Sequence, residues 1–116
     1  MFDGQPHEIA IYEKADGTRP YEEWVYSLRD QRAVARIEAR LTRLQAGNPG
    51  DYKSLGEGVY ELRVDYGPGY RVYFALAGLR LVILFCGVDK RSQQSDIATA
   101  LKYWKDQQQR GQGEQS

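Results

Sequence analysis

Cysteine is nearly absent from this chain: Cys86 is the only one, in a hydrophobic stretch. That excludes a disulfide framework and a cysteine-rich zinc site. Long apolar runs are missing as well. The longest, Leu81 to Cys86, is far too short to cross a bilayer. The first residues, Met1 to Pro6, are polar and contain glycine, so they lack the apolar stretch of a signal peptide. A cytoplasmic location is the expectation, with no membrane partner. Net charge is lacking too, since Lys plus Arg and Asp plus Glu each number 16. The chain therefore falls short of a strongly basic nucleic-acid binder. It shows no internal repeat and no linker, and no residue pattern asks for a metal or a cofactor.

What is present suits one globular domain over residues 1–116, with 41% apolar and 28% charged side chains. The ordered core is expected over about residues 8–106, followed by a polar, glycine-containing tail over 107–116. The charge is unevenly spread. Residues 1–30 hold three basic and seven acidic side chains, a net of −4, while residues 31–116 hold thirteen and nine, a net of +4. Such polarity fits an anionic partner on one side.

Along the chain, His7 to Tyr12 reads as a short strand. Asp16-Gly17 marks a turn, and Pro20 with Glu22 and Glu23 starts a helix whose apolar stripe is Tyr21, Trp24, Val25 and Leu28. A second helix covers about Gln31 to Ala46, with Val34, Ile37, Leu41 and Leu44 inward and Gly47-Asn48-Pro49-Gly50 as its stop. Arg32, Arg36, Arg40 and Arg43 fall on the other side of that helix as a basic stripe. Asp51 to Gly58 reads as a loop. A last helix begins near Ser95, a suitable cap, with Ile97, Ala98, Leu101 and Trp104 inward.

The most informative stretch is Val59 to Lys90, VYELRVDYGPGYRVYFALAGLRLVILFCGVDK. It reads as three antiparallel strands joined by tight turns. With Gly67-Pro68-Gly69 as a three-residue hairpin loop, Asp65 faces Arg71 and Arg63 faces Tyr73. Glu61, Arg63, Asp65, Arg71 and Tyr73 then share one face. Tyr60, Leu62, Val64, Val72, Phe74 and Leu76 share the other. The last strand, Leu79 to Cys86, is apolar on both sides and belongs in the centre of the sheet or under cover. The resulting order is β-α-α-β-β-β-α. It predicts an α+β domain with a largely antiparallel sheet and helices packed on one face.

The ELR-x-D-YGPGYR-x-YF stretch, followed by a strand and GVDKRSQQSDI, resembles the HigB-like addiction module killer proteins of the RelE/ParE type II toxin superfamily. The similarity spans roughly Ile9 to Trp104. It implies a bacterial toxin expressed beside a small antitoxin, here a helix-turn-helix protein. Many superfamily members are ribosome-dependent endoribonucleases that cut mRNA in the decoding site, while ParE-type members poison DNA gyrase. By position, the RelE-like pattern implies a phosphate-binding arginine at Arg71, a basic residue at Arg63, and a Lys-Arg pair at Lys90 and Arg91. The chain also departs from that pattern. Tyr60 and Glu61 stand where RelE has lysines. No tyrosine occurs in Gln94-Ser95-Asp96-Ile97, near the start of the last helix. The histidine of some other superfamily nucleases is missing, because His7 is the only one here.

The resemblance implies metal-independent cleavage in which the substrate's own 2′-OH attacks, leaving a 2′,3′-cyclic phosphate and a 5′-OH. Arginine suits orientation of the RNA and neutralisation of the phosphorane, because its planar fork binds phosphate oxygens bidentately and stays charged. Arg71 and Arg63 fill that role in this reading, with Arg91 and Lys90 as further RNA contacts. Tyr73 and Lys90 are the candidates for proton transfer, although both reference pKa values lie near 10. Each residue also has a plainer role. Arg71 can pair with Asp65, Arg63 can stack on Tyr73, and Lys90-Arg91 can be a solvated loop. Glu61 on the same face works against RNA. Trp24, Trp104 and Cys86 read as core. The stripe of Arg32, Arg36, Arg40 and Arg43 is a solvated face, a docking surface for an acidic antitoxin segment, or a contact to ribosomal or DNA phosphates.

Three functional readings follow: an mRNA interferase acting on the ribosome, a ParE-like gyrase inhibitor without nuclease activity, and a non-toxic antitoxin-binding module.

Overall fold

A computed structural model describes residues 2–91 and 95–115. The side chains of Ser95 and residues 111–115 lie outside that description, and so do the cap expected at Ser95 and the end of the expected tail. Eight elements occur in chain order: β1 (Glu8–Ile11), α1 (Pro20–Ser27), α2 (Gln31–Gln45), β2 (Tyr52–Gly56), β3 (Val59–Val64), β4 (Tyr70–Ala77), β5 (Leu81–Asp89) and α3 (Ser95–Gln115). They form an α+β domain with one five-stranded sheet in the order β1-β5-β4-β3-β2. Every pair is antiparallel except β1 with β5, where Ile9 lies beside Val82.

The expected order lacks one strand. The loop read at Asp51 to Gly58 contains β2, which pairs with β3 through Tyr52 opposite Leu62 and Ser54 opposite Tyr60. Its residues are mostly polar, so no alternation betrays it. Glu57 and Gly58 close the hairpin, both at positive φ (55° and 85°), as a type I′ hairpin turn requires.

The expected register of the β3–β4 hairpin is also two residues out. Val64 pairs with Tyr70, Arg63 with Arg71 and Glu61 with Tyr73. Residues 65–69 form the connection, so Asp65 lies in the loop and does not face Arg71. A slip of one residue would have exchanged the two faces, whereas a slip of two preserves them.

Helices do not pack on one face only. Leu62, Val64, Val72, Phe74, Val82 and Leu84 form one core with Tyr21, Val25, Ala33, Ile37 and Leu44 of α1 and α2. The opposite face builds a second core, where Val59, Tyr73, Ala75, Ile83 and Phe85 meet Ala100, with Ile97, Leu101 and Trp104 of α3 against them. β5 is apolar on both sides because it is an interior strand between β1 and β4 and is covered by helices on both faces. A bulge between Tyr73 and Phe74 shifts its register.

One packing detail ties α1 to this sheet. A Cβ on Gly87 would lie 2.3 Å from the Trp24 ring, so the indole sits directly against the β5 backbone. Gly87→Ala is expected to destabilise the fold by about 1–3 kcal/mol or more through overpacking. Urea unfolding checks this, and an unmoved midpoint would show that Trp24 is not seated there.

Candidate anion-binding groove

Beside the β3–β4 hairpin lies a groove of about 440 Å³ lined by Asp51, Arg63, Val64, Asp65, Gly69, Tyr70, Arg71 and Lys90. Its three cations come from β3, β4 and the segment after β5. The backbone that follows β5 is held against the hairpin, because Lys90 N donates to the Gly69 carbonyl at 2.8 Å. A Cβ on Gly69 would approach Lys90 Cδ to 3.0 Å, so the glycine leaves room for the lysine stem to lie across the turn.

Arg63 and Arg71 are direct cross-strand partners, an arrangement that is unfavourable for like charges unless something lies between them. Glu61 fills that place. It is only 3% exposed. Its Oε1 accepts from Arg63 Nε at 2.8 Å and lies 3.7 Å from Arg71 Nε. The guanidiniums remain accessible at their outer ends, with side chains 43% exposed for Arg63 and 32% for Arg71. The carboxylate beside Arg63 raises that residue's pKa.

Tyr73 is not brought to the groove. It is buried in the α3-side core, where burial and the nearby Glu61 carboxylate push its hydroxyl pKa up, opposed by a hydrogen bond from Arg71. Asp96, in the first turn of α3, has its carboxyl raised by burial, against the lowering influence of Arg71. Arg91 is not among the residues that line the groove. Its guanidinium holds Asp89 at 2.9 Å, and its backbone N–H donates to the same carboxylate. Burial pushes the Cys86 thiol up to about 12, as a core residue requires. Among the described residues, no three His, Cys, Asp or Glu side chains converge as a metal site would need.

The basic stripe on α2 divides in two. Arg32, Arg36 and Arg43 are exposed, and Arg36 lies 5.4 Å over the Tyr66 ring. Arg40 is half-buried and turned inward. Its guanidinium donates to the carbonyls of Arg63, of Pro49 at 2.6 Å and of Asp51 at 3.1 Å. Its expected place on a solvated face is therefore corrected, because the loop before β2 folds over it.

Of the residues the sequence nominates, the structure brings Arg63, Arg71 and Lys90 together. Asp51 joins their lining with no signal in the sequence, and Glu61, which the sequence sets against RNA, lies on the face of both arginines as their nearest carboxylate.

Fold and groove define a small α+β protein with a groove beside the β3–β4 hairpin that gathers Arg63, Arg71 and Lys90. Residues 23–105, which include every residue of the groove, match the family described as Phage derived protein Gp49-like (DUF891). An uncharacterized protein of Haemophilus influenzae (strain ATCC 51907 / DSM 11121 / KW20 / Rd) is 49% identical over 83 residues, covering 72% of this chain and 84% of that relative. The chain belongs to the Gp49-like family, a family of toxin–antitoxin toxins related to the RelE type. The family suggests a phage-derived, toxin-like module, with an antitoxin as its partner. Among the described residues, no helix is long and apolar enough to cross a membrane.

Proposed function

We propose that this chain is a HigB-like toxin that cleaves ribosome-bound mRNA and so inhibits translation. The observation that carries the reading is the convergence of Arg63, Arg71 and Lys90 on one groove. Single-stranded RNA offers a phosphate of matching charge. Two guanidinium forks can take its non-bridging oxygens, and Lys90 can neutralise the neighbouring phosphate. The substrate's own 2′-OH is the nucleophile, so the protein's task is to hold it in line and to stabilise the charge that develops on the phosphorane. Both tasks are suited to side chains fixed on a sheet.

Inducing the chain alone in bacteria, then mapping RNA 5′ ends and scoring plasmid supercoiling in the same culture, tests this directly. New ends within translated codons with normal supercoiling support the reading. The burial of Tyr73 favours a second reading, a ParE-like gyrase inhibitor that needs no proton transfer. That reading gives altered supercoiling and intact mRNA. Normal growth at confirmed expression would leave only a non-toxic antitoxin-binding module.

The silencing partner in this proposal is a helix-turn-helix antitoxin with an acidic segment that docks on Arg32, Arg36 and Arg43. Clustered exposed charges contribute little each but speed association. Reversing Arg36 and Arg43 to Glu is expected to slow antitoxin association by roughly tenfold or more at low salt. An association rate unchanged across a salt titration would return the stripe to a solvated face.

A further inference from the structure

We propose that Glu61 is the positioning residue of the groove, clamping Arg63 and Arg71 through their Nε atoms so that their outer edges are held ready for phosphate. This rests on the reading of the groove as an RNA site.

The argument starts from register. Arg63 and Arg71 sit directly opposite each other, so the strands force two cations together. Without a counter-charge they would swing apart and sample many rotamers. Glu61 is two residues from Arg63 on the same strand, which places it on the same face. It is nearly inaccessible, while both arginines are partly exposed. Its Oε1 accepts a hydrogen bond from Arg63 Nε at 2.8 Å and forms a longer ion pair with Arg71 Nε at 3.7 Å. An arginine held at Nε keeps its Nη1–Nη2 edge for another ligand. No protein partner for that edge of Arg63 occurs among the described residues, and Arg71 additionally reaches the Tyr73 hydroxyl. Glu61 is itself the cross-strand partner of Tyr73, so the carboxylate rests on the rigid, α3-covered part of the sheet. A site held this way is preorganised, and loosening it by about an ångström costs far more in rate than in binding.

A buried carboxylate that merely supported the fold would affect stability alone. One that merely repelled RNA would, when removed, improve binding and cleavage together. A clamp predicts a split. Glu61→Gln keeps the shape but removes the charge. It should lower kcat on ribosome-bound mRNA by roughly 10- to 100-fold and leave KM unchanged or lower, because the groove gains a net positive charge.

The second readout needs no RNA. Arginine Nε–H proton exchange, followed by NMR on the free protein, should be slower for Arg63, whose Nε–H is hydrogen-bonded to Glu61, than for the exposed Arg32, and this protection should weaken in Glu61→Gln, which keeps an acceptor oxygen, and disappear in Glu61→Met. If the parental chain cuts no mRNA, the nuclease reading fails by itself and the exchange measurement still decides the clamp. An unprotected Arg63 Nε–H in the parent, or an unchanged kcat in a folded Glu61→Gln variant of a parent that cuts, would overturn the proposal. Should Glu61→Gln not fold, Glu61→Met keeps the volume without a polar group and must show the same split. Failure of both to fold would make Glu61 a determinant of the fold and overturn the clamp.

Discussion

Arg71→Ala is expected to slow cleavage of ribosome-bound mRNA by on the order of 10²-fold or more, the scale of losing one preorganised charge donor to a transition state. The fold should hardly notice. Arg71 contacts Glu61 at 3.7 Å, longer than the 2.8 Å bond from Arg63, so Glu61 keeps its better partner after the substitution. A partly exposed sheet pair of this kind contributes about 0.2–1 kcal/mol. The variant should therefore melt close to the parent, bind its antitoxin normally and fail in the chemical step. Single-turnover cleavage beside a thermal melt separates these effects. A variant that cut at the parental rate would make Arg71 no more than a sheet-surface cation.

The largest effect on stability among the surface arginines should come from Arg40→Met. Methionine keeps the apolar stem, so the loss is confined to the guanidinium. That group donates to three backbone carbonyls, those of Arg63, Pro49 and Asp51, and so ties α2 to the end of β3 and to the segment leading into β2. Hydrogen bonds from a charged donor contribute about 1.5–3 kcal/mol each when buried. Because Arg40 is only half-buried, a total cost of about 2–4 kcal/mol is expected. The urea midpoint should fall accordingly, while Arg36→Met on the same helix should barely move it. Arg63 and Asp51 both line the groove, so the loosened segment should also weaken cleavage. An unmoved midpoint would return Arg40 to the solvated stripe.

Much of the fold was legible because periodicity reports it. Ile37 and Leu44 fell inward at helical spacing, and the alternation along β3 and β4 sorted their side chains onto the correct faces. Three features were not legible, each for a long-range reason. β2 has no apolar alternation of its own and becomes a strand only through its pairing with β3. The hairpin register depends on the backbone after β5, since the Gly69 carbonyl bonds to Lys90. That α3 covers the second face follows from apolar residues such as Val59 and Ala75, which share parity with Glu61 and Tyr73 but lie further from the hairpin.

The same division holds for the groove. Arg63 and Arg71 could be found from alternation, because both belong to one face of one hairpin. Which carboxylate Arg71 meets across the hairpin could not, because that depends on register. A two-residue error exchanged Asp65 for Glu61 and turned a central contact into an apparent liability. Arg40 shows the matching limit for helices. A helical wheel gives the direction of a side chain but not the loop that folds back over it.

The most direct test of the central claim is the chemistry of the RNA ends made by purified chain on ribosome-bound mRNA. The account predicts a 2′,3′-cyclic phosphate on the upstream fragment and a 5′-OH on the downstream one, with no cleavage of an mRNA carrying 2′-deoxyribose at the cut position and little by Arg71→Ala. Intact mRNA at full ribosome occupancy, or ends bearing a 5′-phosphate, would contradict it.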